Sequence, residues 1–167
     1  MKTKLVTSID DVSKVPVYIG TKNKGWAFFL DMLTLQPIFV YVGTRYYTIK
    51  KQLIEFVNEI GSKVEDNQQW IEAAERLENK DEFDVFNDDC EGQATYFNKM
   101  MIVCLRPNTK RCTILHECTH LSQFLLMFKY GDSDFNNATV RELQANLVET
   151  YTTIVEQVYD ILKKRKF

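Results

Sequence analysis

The run from Cys112 to Tyr130 constrains the fold of this chain most, because neither Pro nor Gly interrupts it. Within it Ile114, Cys118, Leu121, Leu125 and Phe128 recur at steps of three and four, which predicts a helix with one buried stripe. Beside that stripe lies an H-E-x-x-H pattern, His116, Glu117 and His120, and these two histidines are the only ones in the chain. Residues four apart on a helix stand one turn above the other on the same face. Two imidazoles so placed can both reach one metal ion, with Glu117 beside them to take a proton from a metal-bound water. The bland alternative is a helix on which two histidines happen to fall at the edge of the core. Both histidines sit inside the pattern, between apolar residues, and this favours the metal reading.

At 167 residues, with 45% hydrophobic and 13% aromatic residues, the chain is long and apolar enough for one globular domain over 1–167. A formal charge of −2 gives no electrostatic footprint for nucleic acid or an anionic membrane. The basic stretch Lys163-Lys164-Arg165-Lys166 reads as the charged end of a helix. Cys90, Cys104, Cys112 and Cys118 match no zinc-knuckle or redox C-x-x-C spacing, and Cys118 reads as a small core thiol. The first residues carry no signal-peptide apolar segment, and no apolar stretch is long enough to span a bilayer. A reduced, cytoplasmic location is the expectation.

In chain order, Leu5–Ile9 and Val15–Ile19 read as short strands. Residues 22–35 read as a helix on the spacing of Trp26, Phe29, Leu30 and Leu33. Pro37–Gly43 reads as a buried strand, and a helix capped by Thr44 is expected from there to about Ile60. Residues 66–79 fit a further amphipathic helix, and the acidic stretch 80–92 a solvated loop without the calcium-loop pattern. Gln93–Phe97 and Met100–Leu105 read as a hairpin turning at Asn98-Lys99. After the motif helix and a polar loop, Asn137 or Thr139 can cap a last helix to about Lys164. The fold class expected is α+β: a small mixed, partly antiparallel sheet packed on helices.

Zinc held by two histidines needs a third protein ligand and an open position. No third histidine exists and no cysteine follows Cys118, so the candidates are carboxylates. Glu142 lies in the first turns of the last helix, with Ala145 and Asn146 one turn further on the same face. Asn146 could hydrogen-bond a ligand, and Ala145 would let the two helices approach closely. Glu149 and Glu156 follow at seven-residue steps, farther along the axis.

The pair of segments Thr113–His120 and Arg141-Glu142-Leu143-Gln144-Ala145-Asn146 resembles the core of small gluzincin metallopeptidases, in particular the ImmA/IrrE-like minimal zincins. The likeness covers residues 93–150. It implies zinc held by His116, His120 and Glu142, with Glu117 as catalytic general base, and a protein or peptide substrate docking along strand 93–97. Larger gluzincins carry an Asp four residues after the ligand Glu, where this chain has Asn146, and no further histidine exists to stabilise an oxyanion. Tyr130, Arg141 or another Tyr or Arg would have to serve. The expected activity is hydrolysis of a peptide bond. The alternatives are a catalytically degenerate zincin acting as a binding or regulatory module, and a DNA-associated protease of the SprT-like kind, which the acidic balance disfavours.

Overall fold

A computed structural model describes residues 3–6, 17–20, 24–31, 36–44, 47–61, 68, 71, 72, 75, 91–97, 100–130 and 138–165. Strands β1 (Thr3–Val6), β2 (Val17–Gly20), β3 (Trp26–Leu30) and β4 (Pro37–Val42) precede helix α1 (Tyr47–Gly61). Strands β5 (Gly92–Phe97) and β6 (Met100–Leu105) follow, then helices α2 (Arg111–Tyr130) and α3 (Ala138–Leu162). The six strands form one mixed sheet in the order β1-β2-β3-β4-β6-β5. β1 to β4 run as an antiparallel meander, β4 pairs with β6 in parallel, and β5 returns antiparallel to β6. The expected α+β class with a mixed, partly antiparallel sheet on helices is the observed one.

Helices cover both faces of the sheet, so its central strands are apolar on both sides. Ala27, Phe29, Ile38, Val40, Val42, Met101, Val103 and Leu105 pack against α2 and α3. Trp26, Phe28, Phe39, Tyr41, Met100, Ile102 and Cys104 face the other way, onto Leu53, Phe56 and Val57 of α1. There Phe56 packs edge-on to Trp26 at 5.2 Å between ring centroids and meets Phe28 at 4.7 Å.

Double-sided burial explains the main correction to the sequence reading. Residues 26–30, read as part of a helix over 22–35, are strand β3, in register with both neighbours: Phe29 pairs with Val17 and Ile38. A strand buried on both faces loses the polar–apolar alternation that marks a half-buried one, and the apolar run then matches helical spacing by coincidence. Elsewhere the expected elements appear with shifted ends. β1 and β2 occupy Thr3–Val6 and Val17–Gly20, and α1 spans Tyr47–Gly61. Phe97 pairs with Met100, as a two-residue connection requires. Of the expected helix over 66–79, residues 68, 71, 72 and 75 are helical, and the rest lies outside the described residues, as do 80–90 and Asn137.

α2 lies across β5 and β6, α3 lies across β4, and the two helices pack side by side. The connection from β6 to α2 is tied down from several sides. The Arg106 amide donates to Thr109 Oγ1, whose hydroxyl donates to the Glu91 carbonyl. The Tyr159 hydroxyl of α3 donates to the Pro107 carbonyl at 2.7 Å. Together these bonds fix where α2 starts and therefore which residues it turns toward the sheet edge. Among the described residues no helix is long and apolar enough to cross a membrane.

Candidate metal centre

On α2 the expected stripe is buried at Ile114, Cys118, Leu121 and Leu125; the Phe128 side chain lies outside the described set. His116 and His120 lie away from that stripe, one exposed and the other half-buried. Their rings meet edge to face, and the two Nε2 atoms stand 3.2 Å apart. Two nitrogens on one tetrahedral zinc, each about 2.0–2.1 Å from it, stand roughly 3.3–3.4 Å apart. The two nitrogens therefore stand at almost the separation a shared ion requires. His120 is held further by Gln123, whose Oε1 lies 3.2 Å from its Nδ1, and by Phe124, stacked at 25°.

Glu117 is turned into the protein, with only 6% of its surface exposed. It sits between the histidines and β5, close enough to accept a hydrogen bond from the Ala94 amide. Burial pushes its carboxyl above the ordinary range, against the pull of His116, His120 and the Ala94 N–H. Gly92 permits this approach of strand to helix. A Cβ there would stand 2.9 Å from Thr113 Cγ2 and 3.2 Å from Glu117 Cγ. Cys118 is an ordinary core thiol, as expected: burial raises it to about 12.

The carboxylates of α3 are placed by the packing of the two helices. Arg111 Nε pairs with Glu156 Oε1 at 2.7 Å, and Cys118 lies against Thr152, so the helices run antiparallel. Glu142 stands ten positions before Thr152, about 15 Å along the axis, whereas Glu149 stands three before it, about 4.5 Å. Both are exposed. His116, His120 and Glu117 are thus brought together and Glu142 is not. Among the described residues no group of three or more His, Cys, Asp or Glu side chains is arranged to hold a metal ion. Glu156 is occupied in its pair with Arg111. Asn146 and Arg141 are exposed, and the Tyr130 side chain lies outside the described set.

Two contacts escaped the sequence reading. Gln123 is an i,i+3 neighbour of His120, a spacing legible in the sequence, although the expected hydrogen-bonding partner was Asn146 on the other helix. The amide of Ala94 left no signal, since a backbone donor has no residue type. No family model, no curated protein and no solved structure matches this chain.

Proposed function

We propose that the chain is a zinc-dependent peptidase of the gluzincin type. The observation that carries this reading is the pair of Nε2 atoms 3.2 Å apart with the buried Glu117 beside them. His116, His120 and Glu142 are the residues that would hold the ion. The separation of the two imidazoles suits it, and Glu142 would have to come to them. Zinc bound there supplies a water acidified to a pKa of about 7 and a Lewis acid for the substrate carbonyl.

The remaining work falls to side chains and backbone. Glu117 takes the proton of the attacking water and later returns it to the leaving amine, a double role suited to a carboxyl whose affinity for protons burial has raised. The Ala94 N–H holds that carboxylate in place. β5 ends the sheet, paired with β6 alone among the described strands, and an extended peptide can be added along it as a further strand. A peptide so bound would lie next to Glu117, because the Ala94 amide already meets that carboxylate.

A second reading has one observation in its favour. Glu142 stands apart from the histidines, which suits a degenerate zincin that binds partners without cleaving them. Metal analysis and cleavage of a peptide library with and without a chelator separate the two. The peptidase reading expects about one zinc per chain, lost in His116→Ala or His120→Ala, and chelator-sensitive cleavage. Full zinc content in the double variant would end it, and zinc without cleavage would leave the binding module.

A further inference from the structure

We propose that Gln123 is the positioning residue of the histidine pair, fixing His120 as the tautomer that carries its proton on Nδ1. The geometry stands by itself; its consequence for metal affinity rests on the zinc reading. Gln123 Oε1 faces His120 Nδ1 at 3.2 Å, and an amide oxygen can only accept, so Nδ1 must donate. A neutral imidazole has one N–H, so Nε2 of His120 carries a lone pair. His116 Nε2 lies 3.2 Å from that nitrogen. The contact between the two nitrogens then has its proton on His116.

This makes the two histidines unequal. His120 is set for coordination before any metal arrives, its ring plane held by Phe124 and its tautomer by Gln123. His116 must move its proton from Nε2 to Nδ1 before it can ligate. Metal-binding histidines generally donate their other ring N–H to an oxygen acceptor, which fixes the tautomer and strengthens the ligand. Here that acceptor lies on the same helix, one turn on, and travels with the ligand however α3 is placed.

The test is nitrogen NMR of the metal-free protein, which reads the proton position on each ring directly. With only two histidines in the chain, the spectrum has two ring systems to assign. The expected result is a proton on Nδ1 of His120 and on Nε2 of His116. Gln123→Leu should release the His120 tautomer and weaken zinc by about 10–100-fold, with the melting temperature as a control for folding. Gln123→Glu keeps an oxygen acceptor and should restore both the tautomer and the affinity. A parent protein with the His120 proton on Nε2 would overturn the assignment, as would a folded Gln123→Leu variant with parental tautomer and affinity. A protein that takes up no zinc, yet keeps the proton on Nδ1 in a Gln123-dependent way, sinks the metal reading and leaves the assignment of Gln123 standing.

Discussion

Tyr151→Phe removes a single hydroxyl from the interior, and its effect can be worked out in advance. Tyr151 of α3 and Asp31, just past the end of β3, are each 2% exposed, and the Tyr151 hydroxyl donates to Asp31 Oδ1. This is the polar tie between α3 and the antiparallel half of the sheet, one position from the Thr152 that lies against Cys118. A hydrogen bond to a carboxylate contributes about 1.5–3 kcal/mol. Asp31 keeps other interactions, so a loss of about 2 kcal/mol is expected. For a chain of 167 residues that lowers Tm by roughly 4–8 °C.

Alkaline pH supplies a sharper check. Burial, reinforced by Asp31, raises the Tyr151 hydroxyl far above its ordinary value near 10. Its contribution is complete below the unfolded-state value and is lost as pH rises beyond it, because the unfolded chain then releases a proton that the folded one retains. Each further pH unit costs the parent about 1.4 kcal/mol that the Phe variant does not lose. The stability gap between the two proteins should stay constant up to about pH 10 and close roughly 1.5 units above it. Urea denaturation at stepped pH, followed by tryptophan fluorescence, measures the gap directly. Equal stabilities at neutral pH, or a gap unchanged at alkaline pH, would refute the reasoning.

Other consequences can be read at the site. Glu117→Gln keeps its shape but accepts no proton, so zinc content should stay at the parental level while turnover falls by about 10²–10⁴-fold; undiminished cleavage would remove Glu117 from the mechanism. Ala94→Pro deletes the amide that meets Glu117, and because that amide points away from β6 the strand pairing should survive; cleavage should drop with little change in Tm. Strand alternation turns the Thr95 amide toward β6, so Thr95→Pro should instead lower stability, and the opposite ranking of the two prolines in thermal melts would refute this register.

What the sequence disclosed follows from how far each signal reaches. The motif helix and the β5–β6 hairpin were legible because their signals are local: an apolar stripe without breakers, and two β-rich runs with a short connection. β3 was misread because its apolar positions answer to helices on both faces of the sheet, which no window of neighbouring residues records. At the site, His116 and His120 were legible because the two positions lie one turn apart on one element. Glu117 was legible in identity but not in environment, since its burial comes from Gly92 and Ala94 on another strand. Glu142 depends on the sliding register of two helices, fixed by contacts such as Arg111–Glu156 that have no local signature.

That register makes Glu142 the most informative residue to change. The likeness of Glu142-Leu143-Gln144-Ala145-Asn146 to the gluzincin helix assigns it the third ligand position, while the packing sets Glu149 nearer than Glu142 to the level of His120. Under our proposal Glu142→Gln should weaken zinc by more than the roughly 10–100-fold typical of residues that only orient ligands, because an amide oxygen is a far poorer donor than a carboxylate. Glu149→Gln should leave affinity near the parental value. Since Glu142 stands about 15 Å along α3 from the contact with Cys118, its recruitment requires the first turns of α3 to shift or unwind. Zinc should therefore alter hydrogen exchange at the amides of 138–146, a change with no counterpart if Glu149 is the donor. Loss of affinity in Glu149→Gln, with exchange in 138–146 indifferent to zinc, would assign the ligand to the helix register. The E-x-x-A-N match would then be coincidence, and the likeness to gluzincins would rest on H-E-x-x-H alone.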